Sequence, residues 1–231
     1  MMTAQALSLH RDEQMIDLHT HSLFSDGVLL PSELVRRAED KGLSAIAITD
    51  HIDVSNIDYV IPQIVKACDE LNKYLGIFAI PGAEITHVPP ETIKNLTQTA
   101  KELGAKLIVV HGETIYEPVK KGTNMAAVKL DIDILAHPGL ITEEEARIAS
   151  ERSIYLEITS RKGHSLTNGH VASMALKTGA RLIFNTDAHE PGDLMNTENA
   201  LRIIEGAGIQ GDEAKKVFNN SKEIVDWIRN K

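Results

Sequence analysis

The amino-acid sequence predicts an α/β fold in which parallel strands alternate with helices and close into a barrel. Two observations point to it. Seven short runs rich in Val, Ile and Leu are separated by helix-length segments, the pattern of successive β/α units. Histidines and carboxylates come directly after most of these runs, as at the C-terminal strand ends of a parallel barrel, where active sites gather.

The runs are Met15–Leu18, Ala45–Thr49, Ile77–Ile80, Leu107–Val110, Ile134–Ala136, Tyr155–Ile158 and Arg181–Asn185, each bounded by polar or Gly/Pro residues. Pro31 and Ser32 open a helix over Glu33–Lys41, where Leu34, Val35 and Ala38 recur at helical spacing and Gly42 supplies the stop. Further helices are predicted over Tyr59–Leu75, Pro90–Leu103, Asn124–Lys129, Glu143–Ser150, Gly169–Lys177, Glu198–Glu205, Gly211–Val217 and Ser221–Arg229. No change of composition marks a seam, so residues 1–231 read as one domain, with 1–13 as a loose tail that contains His10.

Hydrophobic residues make up 42% and charged residues 25%, which suffices for a sizeable core. The single cysteine, Cys68, excludes an internal disulfide, and its place in the apolar helix stripe of IVKACDEL makes it a core thiol rather than a nucleophile. No apolar run reaches the roughly 20 residues needed to cross a bilayer, and the polar start MMTAQALSLHRDEQ lacks the apolar stretch of a signal peptide. The expected location is therefore the cytoplasm, without a membrane partner. A formal net charge of −9 argues against duplex binding and fits a small substrate. If that substrate is anionic, bound metal cations would supply the local positive field it needs.

The chemistry lies at the strand ends. The first strand leads into Asp17-Leu18-His19-Thr20-His21 and Ser25-Asp26-Gly27, and the second into Thr49-Asp50-His51. The third leads to Pro81-Gly82-Ala83-Glu84, the fourth to His111-Gly112-Glu113, the fifth to His137-Pro138-Gly139, and the seventh to Thr186-Asp187-Ala188-His189. Residues two apart on a strand point the same way, so His19 and His21 form one ligand pair and Asp187 and His189 another. Asp17 lies one step deeper, in phase with the first pair, where a carboxylate would orient a ligating imidazole. Any one of these histidines reads as an ordinary polar residue. Six of them with three carboxylates at equivalent strand ends imply a multinuclear metal centre, because burying so many polar groups without a partner is costly.

The motifs DLHTHSLFSDG (17–27), ITDH (48–51), PGAEI (81–85), the histidine of VVHGE, LAHPG (135–139) and NTDAH (185–189) occur in an order that resembles the PHP (polymerase and histidinol phosphatase) domains. The resemblance covers most of the chain and implies a distorted seven-stranded, TIM-like (β/α)7 barrel with two or three divalent metal ions. By position it implies that His19, His21, Glu84 and Asp187 surround one metal. Glu84 would bridge to a second held also by His111 and His137, and Asp26, His51 and His189 would hold a third. Some relatives carry histidine in place of Asp26. Barrel amidohydrolases, the closest chemical rival, often bridge their metals with a carboxylated lysine at the end of strand four; here that place holds His111, while Lys106 lies at the opposite end.

Mixed imidazole and carboxylate ligation suits zinc, manganese or iron. The expected activity is metal-dependent hydrolysis of a phosphate ester by metal-activated water, on a small phosphomonoester as in a histidinol phosphatase. The alternatives are a phosphodiesterase or exonuclease acting on single strands, and a metal-binding regulatory domain without turnover. Asp187, Glu84 and His189 are the expected catalytic residues, Asp187 serving as ligand or as proton relay. Arg161, Lys162 and His164, after the sixth strand, and His87, beyond Glu84, are the expected substrate contacts. His170 reads as structural, and Glu113 as an outer support or a pocket wall. The sequence leaves the oligomeric partner open.

Overall fold

A computed structural model describes residues 15–230; the expected tail at 1–13 and His10 lie outside the described residues. The strands are β1 (Ile16–Thr20), β2 (Ala45–Ile48), β3 (His51–Ile52), β4 (Phe78–Ile85), β5 (Leu107–His111), β6 (Ile134–Ala136), β7 (Tyr155–Thr159) and β8 (Arg181–Asn185). The helices are α1 (Pro31–Asp40), α2 (Ile57–Leu71), α3 (Ile93–Glu102), α4 (Thr123–Ala127), α5 (Glu143–Glu151), α6 (Asn168–Thr178), α7 (Thr197–Gly206) and α8 (Asp212–Arg229). All pairings are parallel, in the order β1-β2-β4-β5-β6-β7-β8, with the two-residue β3 added beside β4. A bridge between Thr20 and Ala188, with His21 N–H donating to Ala188 O at 2.9 Å, brings the last segment back to the first. The sheet is thus a nearly closed, distorted seven-stranded barrel, as the sequence predicts.

Period-two alternation divides the strands between two cores. Ile46, Ile48, Ile108, Val110, Leu156, Ile158 and Phe184 face the helices, which bury their own apolar stripes against them. Ile16, Leu18, Ala45, Ala47, Ile80, Leu107, Val109, Ile134, Ala136, Tyr155 and Ile183 fill the barrel, joined by Ile224, Val225 and Ile228 of α8. Cys68 is buried on α2, and desolvation together with the charge of Asp69 pushes its thiol up to about 12, which keeps it neutral and inert.

Three elements differ from expectation. Pro81-Gly82, expected to bound the third run after Ile80, runs inside an unbroken β4. Its first half pairs with β2 and its second half with β3, so the short β3 arises where the second strand breaks at Thr49-Asp50 and resumes. A side chain at Gly82 would meet Thr49 Cγ2 at 2.7 Å and Leu107 O at 3.1 Å, so this close approach requires glycine. The helices predicted at Gly211–Val217 and Ser221–Arg229 are one, α8: the Asn-Asn-Ser run docks rather than breaks, Asn220 Nδ2 donating to Leu182 O at 2.7 Å on β8.

Candidate metal centre

The candidate ligands stand one layer above the apolar filling of the barrel and mostly in its inward phase. Glu84 lies four residues beyond Ile80, His111 two beyond Val109, and Asp187 four beyond Ile183. On β1, Leu18 belongs to the inner core and yet the next residue, His19, also reaches the site; a register irregularity against β2 between Asp17 and Thr20 accommodates both. His137 and Asp187 are turned by backbone in the left-handed region, φ 28° and 54°, a strain that tends to persist at functional sites.

Two carboxylates form the centre. His19 Nε2 lies 3.3 Å from Glu84 Oε1 and 3.8 Å from Asp187 Oδ1, while His21 Nε2 lies 3.1 Å from Asp187 Oδ1 and 3.7 Å from Glu84 Oε2. His137 Nε2 is 3.8 Å from Glu84 Oε1 and 3.6 Å from Asp187 Oδ2. Beside them, Asp26 Oδ1 sits 3.4 Å from His51 Nε2 and 3.1 Å from His189 Nε2, so the three residues that the resemblance groups around a third metal are brought together. The remaining set is arranged differently. His111 and His137 have ring centroids 4.4 Å apart, but His111 Nε2 faces Glu117 Oε2 at 3.1 Å, and the imidazole whose Nδ1 approaches Glu84 Oε2, at 2.7 Å, belongs to His51.

The donor atoms are unsatisfied. His19 Nε2, both ring nitrogens of His21, Glu84 Oε1 and His137 Nδ1 are buried without a hydrogen-bond partner among the described residues. Leaving several such groups unpaired in one small volume would cost of order 1–3 kcal/mol each. Four convergent residues carry all five atoms, and imidazole and carboxylate are a donor set that divalent cations accept, so the residues present fit a metal centre. Donor atoms close enough to share one ion occur as His19–His21–Glu84, His19–His137–Asp187, His21–Asp26–His51–His189, His111–His137–His164 and His87–His111–Glu117.

Burial around opposed charges sets the electrostatics. Desolvation opposes charge on His19, but Glu157, Glu84 and Asp187 outweigh it and hold the ring well above its usual value. His51, opposed by burial but favoured by Glu84 and Asp26, is raised to about 10. His21 and His137 are held well below the usual range by burial and by neighbouring imidazoles. Burial raises Asp187 to about 7, partly offset by His19, whereas Glu84, despite burial, is held low by His19 and His51.

Several contacts are not legible in the sequence. The carboxylate that orients His19 is Glu157 of β7, whose Oε1 lies 2.8 Å from His19 Nδ1, and not Asp17. Asp17 instead accepts the backbone N–H and hydroxyl of Thr186, tying β1 to the segment after β8. Glu157 also accepts from Asn185 Nδ2 at 2.8 Å and from His137 N–H at 3.1 Å. Its only sequence signal is a charge at an inward position of the otherwise apolar YLEIT. Glu117 has no such signal: a glutamate in a polar loop carries no periodicity that places it. Glu113 Oε1 accepts the N–H groups of Gly122 and Asn124 at the start of α4, an outer support. His170 Nε2 lies 2.8 Å from Ile141 O, away from the centre.

A cavity of about 200 Å³ opens onto the centre, lined by Asp26, His51, Thr86, His87, His111, Glu117, Arg161, His164, Asp187 and His189. Arg161 and His164 thus border it, Arg161 Nη1 lying 3.3 Å from Asp193 Oδ2, and His87 stands at its exposed edge. Lys162 is exposed and is not among the lining residues. No helix among the described residues is long and apolar enough to cross a membrane.

Comparison with known proteins agrees with this architecture. A profile of the PHP domain matches residues 17–121. A protein of Methanocaldococcus jannaschii, MJ1295, described as uncharacterized, is 49% identical over 92% of this chain and 99% of its own length. A probable phosphatase of a Thermoanaerobacter species is 26% identical over 86% of this chain and 88% of its own. Among solved structures, a chain of an archaeal ribonuclease P with mature tRNA superposes with a TM-score of 0.69 at 19% identity, covering 94% of this chain and 92% of that one. A putative histidinol phosphatase of Listeria monocytogenes gives 0.60 at 11% identity, covering 80% and 99%. These last two likenesses are of fold. Ligand motifs in order, a barrel that gathers them and a near full-length relative at 49% identity lead to one conclusion: the chain belongs to the PHP domain family and is a metal-dependent hydrolase.

Proposed function

We propose that the protein hydrolyses phosphate esters, and that its substrate is a small phosphomonoester of the histidinol phosphate type. The observation that carries this reading is the group of five orphaned donor atoms beside a cavity of about 200 Å³, room for a phosphoryl group and little more. Two or three divalent cations of the zinc, manganese or iron type, held there, would lower the pKa of bound water toward neutrality and neutralise phosphoryl oxygens. In this reading His19, His21, Glu84 and Asp187 hold one cation, Glu84 and His137 with His111 a second, and Asp26, His51 and His189 a third. Asp187, whose Oδ1 lies 3.1 Å from His21 Nε2 and 3.5 Å from His189 Nδ1, borders the cavity where it would hold a cation or accept a proton from the attacking water.

The phosphate clamp is Arg161, which exchanges Asp193 for substrate oxygens on binding. Burial lowers His164 to about 4, so near neutral pH it is an uncharged hydrogen-bonding contact and not a proton donor. His87 and Lys162 contact substrate from the rim. The probable phosphatase of Thermoanaerobacter supports the monoester reading. A second reading is supported by 28% identity to the Bacillus subtilis DNA polymerase/3'-5' exonuclease PolX over 75% of this chain, which spans 34% of that protein. The test is hydrolysis by protein of measured metal content, read as phosphate release from a panel of phosphomonoesters that includes histidinol phosphate and as cleavage products separated from diesters and single-stranded oligonucleotides. Release from monoesters that disappears in Glu84→Gln is the expected result. Hydrolysis of diesters alone would favour the nuclease, and no release from any ester would end the proposal.

A further inference from the structure

Two side chains outside the ligand scheme above meet His111 at the mouth of the cavity. His87 Nε2 lies 3.0 Å from Glu117 Oε2, His111 Nε2 lies 3.1 Å from the same oxygen, and one donor atom from each residue falls within 4.8 Å of the others. A tetrahedral zinc-type cation with bonds of roughly 2.0–2.1 Å spaces its ligand atoms about 3.3–3.4 Å apart. The two measured separations need to open by only a few tenths of an ångström to become edges of such a tetrahedron.

Both outer residues are held in place. His87 has φ 54°, and of the four non-glycine residues with positive φ among those described, the two others that border the centre are His137 and Asp187. Glu117 follows a stretch of loop that is packed down. Tyr116 packs so tightly over Gly163 that an added Cβ there would lie 2.4 Å from the ring. Tyr116 N–H donates to Thr114 Oγ1, which is 2.7 Å from His164 Nδ1. Glu117 Oε1 is itself 3.5 Å from His164 Nε2, so the carboxylate stands among three imidazoles.

We propose that His87, His111 and Glu117 form an additional divalent-cation site of the zinc type, with its fourth position open to water or to an anion in the cavity. The site also competes with the inner centre. His111 Nδ1 lies 3.1 Å from Gly112 O, which leaves Nε2 as its ligand atom, and one nitrogen cannot serve both positions. A cation held at the mouth draws His111 away from His137. The site rests on the metal-centre reading only through this shared histidine.

The test is a count of bound Co²⁺ on metal-stripped protein by visible absorption, repeated with Zn²⁺ by elemental analysis, in the wild type, His87→Asn and Glu117→Gln. Asparagine tolerates the left-handed backbone at position 87, and circular dichroism checks the fold of each variant. The wild type is expected to take a last, weaker equivalent with tetrahedral cobalt absorption, His111 then leaving the inner second cation to Glu84 and His137, and both variants are expected to lose that equivalent while keeping the tighter ones. Zinc-edge anomalous scattering from crystals grown in excess zinc gives an independent readout, with a peak expected between His87 and Glu117. Equal stoichiometry in all three folded proteins, or inner peaks without one at the mouth, would overturn this site and leave the inner centre standing. If no equivalent binds to the wild type at all, the inner centre falls with it.

Discussion

Glu157 decides which nitrogen of His19 faces the centre. With its Oε1 2.8 Å from Nδ1, it leaves Nε2 directed at Glu84 and Asp187, and by accepting from the backbone of His137 it positions a second ligand. Outer carboxylates of this kind typically contribute 10–100-fold to metal affinity or activity. Glu157→Gln keeps the size of the side chain but removes its charge, and should weaken cation binding by roughly 10–100-fold in competition with a chelating dye. Unchanged affinity would show that His19 is oriented without it. At this scale the candidate ligands are readable because each lies at a strand end in a distinctive motif. The residues that orient or crowd them, Glu157 and Glu117, are not, because their partners are 138 and 6 residues away along the chain and neither spacing repeats anything. Asp17 meets Thr186 instead of the expected imidazole because strand phase says which side a residue faces but not which hydrogen-bond donor is nearest.

Among the elements, the loops after β5 and β6 are fitted to each other through glycine. Gly139 has φ 63°, and a Cβ there would stand 1.9 Å from the carbonyl oxygen of Glu113, a backbone atom that cannot swing aside. Gly139→Ala should therefore cost roughly 1–3 kcal/mol from backbone strain, with more from the clash, measured as a lowered urea midpoint with an unchanged slope. A variant as stable as the wild type would mean that the two loops separate freely. The strands that carry alternating apolar residues between polar boundaries are legible with near-correct limits. The break that makes β3 and the continuity of β4 through Pro81-Gly82 are not, since a Pro-Gly pair signals a turn unless a neighbouring strand approaches closely enough to need it. Likewise Phe218-Asn219-Asn220 reads as a gap between two helices until Asn220 finds its acceptor on β8.

For the whole molecule, closure of the barrel and part of the candidate metal centre share one seam. β1 and the segment after β8 are joined by the Thr20–Ala188 bridge, by Leu18 N–H donating to Asn185 Oδ1 and by Asp17 with Thr186, all within two residues of His19, His21, Asp187 or His189. Cations that bind only the closed barrel stabilise it by about 4 kcal/mol at a thousand times their dissociation constant. In a domain of this size that is worth roughly 8–16 °C, so chelation should lower the melting temperature by that order and re-addition restore it. A melting temperature indifferent to chelator would separate the seam from the cations. The barrel itself is legible from the order of strands and helices, and the convergence of residues as distant as His19 and His189 is a consequence of that order. The most direct test of the central claim is metal content by elemental analysis alongside phosphate release, for the wild type and Glu84→Gln. At least two bound divalent ions and turnover are expected in the wild type, with fewer ions and no measurable turnover in the variant. A folded Glu84→Gln protein with full metal content and full activity would contradict it.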